Sequence, residues 1–257
     1  KKIIFVSATR ADYSKQKNLI KLIVKQKYFS TSIFITGMHM LKRYGETWQE
    51  IKKDGFKNLY KFSNQNNYTI PNDVFQNTFK IFGNFCKKIK PDLVILHGDR
   101  IETLACAVSC SLNNIKIGHI EGGELSGTLD EIIRHSVSKL SNHHFVSNNI
   151  SKNRLIQMGE DKKNISIIGS PDLDILLSKS LPNILQVKKR YSVKFDKYAV
   201  LIFHPVFSEF KNIKNQISHL VKATQISNLN YVIILPNNDL GSNFFFKEIN
   251  KLKKNRK

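Results

Sequence analysis

The sequence predicts an α/β protein built on parallel sheets and divided into two units. Continuous apolar runs of strand length alternate with amphipathic stretches of helix length, as in sheets whose strands are buried on both faces. The pattern weakens through residues 175–195 and then restarts. Residues able to do chemistry collect just after the apolar runs, and in open α/β sheets that is the ligand-binding end.

The run IIFVSA (3–8) reads as the first strand, and the turn ATRADYSK (8–15) opens a helix over 14–26. TSIFIT (31–36) is the next strand, with helices expected over 44–53 and 77–88. DLVILHG (92–98), a helix over 102–113 and IKIGHI (115–120) follow. A glycine-rich acidic loop then enters a helix over 130–141, before HHFVS (143–147), a helix over 150–158 and ISIIG (165–169). Past the polar stretch, YAVLIFH (198–204) and YVIILP (231–236) flank a helix over 213–224. These signals assign residues 1–178 to a first domain and 196–257 to a second. Two strands make a marginal sheet on their own, so the second domain is expected to be truncated in this chain.

Composition excludes several classes. The net charge of +21 comes mostly from lysines scattered along all 257 residues. No zinc-ligand spacing, aromatic RNA-binding motif or recognition helix accompanies them. They are therefore read as a solvated surface suited to an anionic ligand, and no nucleic-acid partner is expected. No apolar run reaches the ~18 residues of a membrane span, and KKIIFVSA is too short for a secretory core. No membrane insertion and a cytoplasmic location are expected. Cys86, Cys106 and Cys110 lack metal-ligand spacing and read as buried thiols.

The motifs sit at strand ends. Arg10, Asp12 and Ser14 lie in the first turn, where a helix N-terminus and a guanidinium would hold phosphate; Asp12 or Ser14 as a plain helix cap is the competing reading. HGDR (97–100) places Asp99 and Arg100 beside Glu121 of HIEGGE if the two strands are neighbours. Asp130, Glu131, Arg134 and His135 open the helix that follows, although acids in a first turn often serve only the helix dipole. Asp99 and Glu121 are expected to pair, each charge raising the other's pKa, as suits general acid/base work. In the second unit His204 ends one strand, and Asn237 follows the other.

ATRADYSK, TGMH (36–39), KPDLVILHGDR, HIEGGELSGTLDEIIRHSVSKL, GSPD (169–172), FHPV (203–206) and PNNDLGS (236–242) together resemble the hydrolysing UDP-N-acetylglucosamine 2-epimerases of nonulosonic (sialic and legionaminic) acid synthesis. The likeness runs through essentially the whole chain in order. It implies two Rossmann-like domains of the glycosyltransferase-B type. It implies hydrolysis of UDP-N-acetylglucosamine, or of a UDP-2,4-diacetamido-2,4,6-trideoxy sugar, to UDP and the free manno sugar through a glycal. It places catalytic acids on Asp99, Glu121 and Asp130, and a catalytic histidine near the leaving diphosphate on His204. Arg10, Ser14, Arg100 and Asn237 match sugar-nucleotide contacts, and His39 is a weaker match. No metal or other cofactor is implied, and the complete protein is expected to be a homo-oligomer, dimer or tetramer. The family's later uridine- and diphosphate-holding residues have no counterpart here. A glycosyltransferase of the same architecture, or an inactive UDP-sugar-binding fragment, are the alternatives.

Overall fold

The opening run KIIFVS forms β1 (Lys2–Ser7) and leads into α1 (Arg10–Val24). The structure, a computed structural model, describes residues 1–178 and 181–254. After α1 come β2 (Ser30–Ile35), α2 (Trp48–Lys53), β3 (Leu59–Lys61), α3 (Pro71–Ile89), β4 (Leu93–His97), α4 (Ile101–Leu112) and β5 (Lys116–Ile120). Then follow α5 (Leu129–Lys139), β6 (His143–Val146), α6 (Asn149–Gln157), β7 (Ile165–Ile167) and α7 (Pro171–Leu176). All seven strands run parallel in the order β3-β2-β1-β4-β5-β6-β7.

Strand residues divide by parity between two cores. Ile4, Val6, Phe34, Val94, Leu96 and Ile117 pack with α3, α4 and α5 through Phe82, Phe85, Cys106, Cys110 and Val137. Ile3, Phe5, Ile33, Ile35, Ile95 and Ile120 pack on the other face against Tyr13, Ile20 and Ile51. Both faces are thus buried, which is why the strands read as unbroken apolar runs. All three cysteines are free and buried.

The chain turns back beside β1: β2 pairs on one side and β4 on the other. A ligand crevice belongs at the carboxyl end of such a switch point. Strand β5 lies next to β4, with Ile120 opposite His97, so Asp99 and Glu121 do leave the sheet from neighbouring strands.

The chain divides into Lys1–Ser178 and Lys179–Lys257. The second unit holds α8 (Ile184–Arg190), β8 (Ala199–Ile202), α9 (Ile213–Ile226), β9 (Tyr231–Ile234) and α10 (Ser242–Lys254). Strands β8 and β9 pair in parallel, and Ile213, Ile217, Val221, Phe245 and Ile249 from α9 and α10 make the core. Val200, Ile202 and Ile234 remain exposed. Residues 179 and 180 of the expected boundary zone, and 255–257 of the expected second domain, lie outside the described residues. Among the described residues no helix is long and apolar enough to cross a membrane.

Several elements differ from expectation: α2 starts at Trp48 and not at 44, and α7 and α8 form where no helix was expected. Helix α1 starts at Arg10 because Thr9 caps it in a reciprocal capping box with Asp12. Helix α3 starts at Pro71, where the fixed φ of proline suits a first helical position. The short strand β3 is half-exposed and carries no apolar run.

Candidate active site

At the rim of β1, β4 and β5, four charged side chains form a continuous chain. His97, at the end of β4, places Nδ1 3.3 Å from Asp12 Oδ1 and Nε2 2.9 Å from Glu121 Oε2. Lys15, one turn along α1 from Asp12, donates to the same Glu121 oxygen at 2.7 Å and lies 3.4 Å from Asp172. Asp12, His97 and Glu121 are each less than a tenth exposed. The other Asp12 oxygen accepts the amides of Ala8 and Thr9 at 3.2 and 2.9 Å.

Glu121 occupies the left-handed region at φ 61°, a strained backbone for a non-glycine residue and one often found at working sites. Its amide donates to Phe145 O at 2.8 Å, and its carbonyl accepts from Arg134 Nη1 at 2.9 Å. The two glycines that follow are required by close approach. A Cβ at Gly122 would lie 2.8 Å from Ser138 Oγ, and one at Gly123 (φ 76°) would lie 2.5 Å from the Ser151 carbonyl.

Arg134, buried in α5, also binds the Asp99 carboxylate through Nη2 and lies 3.6 Å from Glu124. Ser147 donates to the other Glu124 oxygen at 2.6 Å. One guanidinium therefore holds the Asp99 side chain and the Glu121 backbone together. Arg100 begins the turn into α4 with Nε 3.8 Å from the buried carboxylate of Glu102.

Two expectations are corrected. Asp99 and Glu121 do not pair with one another: a separate cation neutralises each. Burial alone would raise the Glu121 pKa, but His97 and then Lys15 outweigh it and hold the carboxyl at about 2. Nor does Asp12 or Ser14 cap α1: the Asp12 carboxylate accepts the amides of Ala8 and Thr9, just ahead of the helix, and the Thr9 hydroxyl accepts that of Asp12. The cap is Thr9, and Ser14 donates its hydroxyl to Ala11 O at 2.8 Å.

The remaining expected residues fall into two groups. Arg10 is exposed at the start of α1, and Asp130 is exposed in the first turn of α5. In the second unit His204 (exposed) and Asn237 (half-buried) follow β8 and β9, so both leave the same end of that sheet. Glu131 holds its own loop, accepting the amides of Ser126 and Gly127 at 3.0 and 2.7 Å. His39 is fully buried between Ser7 Oγ (2.8 Å) and Thr47 Oγ1 (2.7 Å), a packing role. Among the described residues no group of three or more His, Cys, Asp or Glu side chains is arranged to hold a metal ion.

The site makes stability depend on pH. Burial disfavours a charged imidazole, yet Asp12 and Glu121 lift His97 to about 9. Burial holds His39 down to about 4 and His119, bonded to Ser138 and the Gly98 carbonyl, down to about 3. The His97 contribution is complete below its unfolded pKa of about 6.5 and is lost as pH rises through about 9. Those of His39 and His119 are complete above about 6.5 and are lost as pH falls toward 4 and 3. Each group changes stability by at most about 1.4 kcal/mol per pH unit. Thermal melting of the first unit should thus peak near neutrality and decline on both sides, and His97→Gln should flatten the alkaline decline. An unchanged alkaline limb in that variant would contradict the assignment.

A doubly wound parallel sheet with a buried cluster of charged side chains at its rim defines a Rossmann-like α/β unit, and the comparisons give its family. A family model described as UDP-N-acetylglucosamine 2-epimerase matches residues 21–257. The UDP-N-acetylglucosamine 2-epimerase of Neisseria meningitidis serogroup B is 41% identical over 251 residues, 98% of this chain and 67% of its own. The UDP-N,N'-diacetylbacillosamine 2-epimerase (hydrolyzing) of Legionella pneumophila is 37% identical over 246 residues, 94% of this chain and 65% of its own. The Methanocaldococcus jannaschii UDP-GlcNAc 2-epimerase, solved with UDP-GlcNAc and UDP, superposes with a TM-score of 0.77 at 20% identity, covering all of this chain and 72% of that one. That likeness shows the fold, the glycosyltransferase-B type. The chain belongs to the UDP-N-acetylglucosamine 2-epimerase family, and it spans about two thirds of the length of these curated relatives.

The sequence reading missed Lys15 and His97 as members of the site. Asp12 and Lys15 share a face of α1 at i, i+3 spacing, which is a usable signal. His97 becomes informative only once β4 is known to lie beside β1.

Proposed function

We propose that the complete protein is a hydrolysing 2-epimerase acting on a UDP-linked 2-acetamido sugar and serving nonulosonic acid synthesis. The observation that carries this is the pair of carboxylates, Asp99 and Glu121, on adjacent strand ends at the switch point, each fixed by its own cation. Inversion at C2 needs proton transfer on both faces of the ring, hence two carboxyl groups on rigid supports. In the first step a carboxylate takes the C2 proton, the C1–O bonding pair leaves with UDP, and a 2-acetamidoglucal remains. In the second step water adds its oxygen to C1 while C2 receives a proton from the opposite face. The sum is UDP-sugar plus water giving UDP plus the free manno sugar.

Asp99, Glu121 and Asp130 supply the acid/base groups in this reading, and His204 faces the departing diphosphate. Arg10, Ser14, Arg100 and Asn237 contact the sugar nucleotide; Ser14 would accept a hydrogen bond from the ligand while donating to Ala11. Guanidinium groups suit the charge that develops on the diphosphate. The named relatives differ in the acetamido sugar they act on, and the chemistry above needs only the C2 proton and the C1 nucleotide.

The test is to incubate the complete protein with UDP-N-acetylglucosamine, and separately with its 2,4-diacetamido-2,4,6-trideoxy counterpart, in heavy water. Free UDP and a free sugar carrying deuterium at C2 are expected. Deuterium in a sugar still joined to UDP would make the enzyme a non-hydrolysing epimerase. No deuterium with either compound would favour a glycosyltransferase or a binding module.

A further inference from the structure

The chain Asp12–His97–Glu121–Lys15 contains more order than placing one carboxylate requires. Both ring nitrogens of His97 face carboxylate oxygens. A neutral imidazole carries one N–H, so its other nitrogen would turn a lone pair toward an acceptor. That conflict disappears if a carboxyl is protonated or if the ring is an imidazolium. Besides His97, the second Asp12 oxygen accepts two backbone amides and Glu121 accepts from Lys15, contacts that each favour the carboxylate form. The proton therefore belongs to the ring.

The charges then balance, with two carboxylates against an imidazolium and an ammonium. The other groups facing this chain are Arg100 and His39 near Asp12, His119 near His97, Asp172 on Lys15, and Arg134 on the Glu121 carbonyl. Burial keeps His39 and His119 neutral, so neither competes with His97 for the proton.

We propose that His97 is a positioning residue which, as an imidazolium clamped between Asp12 and Glu121, keeps the Glu121 carboxylate ionised and aimed, so that Glu121 enters the reaction as proton acceptor and not as donor. The donor that completes inversion at C2 is then one of the other acids of the site. This rests on the function proposed above and decides the division of labour that the sequence left open. The backbone supports it: Glu121 is pinned on both sides of its strained φ, by Phe145 O on its amide and by Arg134 on its carbonyl. Its side chain keeps one aim only while His97 and Lys15 hold the carboxylate.

The experiment has two arms. In the first, the ring nitrogens of His97 in ¹⁵N-histidine-labelled complete protein are followed by NMR without substrate. Both nitrogens should be protonated at neutral pH, with the ring losing its proton near pH 9. A singly protonated His97 ring at neutral pH would overturn the proposal. In the second, His97→Gln should lower kcat by about 10²-fold with KM little changed. It should also abolish the alkaline fall in kcat that marks loss of the His97 proton. A wild-type kcat and pH profile in the variant would also overturn it. If the variant fails to fold, the first arm decides on the wild type. Because that arm uses no substrate, its failure is distinct from a failure of the deuterium test, which bears on the function itself.

Discussion

Asp99→Asn in the complete protein is expected to cut turnover of the UDP-sugar by about 10²-fold or more while leaving the melting temperature close to wild type. Arg134 keeps its bond to the Glu121 carbonyl and its approach to Glu124 in this variant, so no buried cation is stranded. Glu121→Gln should lose as much activity by a different physical route. Lys15 and His97 each lose one anionic partner, keeping Asp172 and Asp12, and His97 releases its proton because the variant offers only Asp12 to stabilise it. That release limits the structural cost, since a neutral imidazole accepts from the glutamine amide. Steady-state kinetics with a thermal melt on each variant separates the two effects. Near-normal turnover in both would leave Asp99 and Glu121 as structural acids.

Removing Arg134 should have the largest effect on stability. Its buried guanidinium ties the Asp99 carboxylate, in the turn after β4, to the backbone just beyond β5. Arg134→Met strands Asp99 beside Glu124 and frees the strained Glu121 carbonyl. Deleting one partner of a buried pair costs about 3–5 kcal/mol, and the figure here should sit at the lower end because Asp99 is partly solvated. Adding Asp99→Asn should restore part of that stability and none of the activity, the coupling expected of residues in contact. Urea denaturation of the single and double variants measures it. Strict additivity would mean that the Arg134–Asp99 contact contributes nothing.

What could be read from the sequence follows from burial. Strands covered on both faces carry unbroken apolar runs, so β1, β2, β4 and β5 were legible, whereas β3, two half-buried residues and the exposed Lys61, carried no pattern. The start of α1 was misplaced because its signal is a side-chain cap three residues from Asp12, not an apolar period. At the site, Asp99 and Glu121 were legible because β4 and β5 are consecutive and adjacent. Their electrostatics were not. The expectation of a raised Glu121 pKa failed because His97 and Lys15, the latter 106 residues from Glu121 in sequence, reach the site only after β4 has come to lie beside β1. The role of Arg134 was also hidden, since a basic residue on the buried face of an amphipathic helix looks the same in sequence whether it pairs across the helix or across the sheet.

The most direct test of the central claim, that the carboxylates at the β1/β4/β5 rim move protons at C2, is a crystal structure of the complete protein with UDP and the 2-acetamidoglucal. Sugar C2 should lie about 3–3.5 Å from a carboxylate oxygen of Glu121 on one face and of another acid of the site on the other, with His97 still bridging Asp12 and Glu121. A sugar bound with C2 beyond reach of both Asp99 and Glu121 would contradict it.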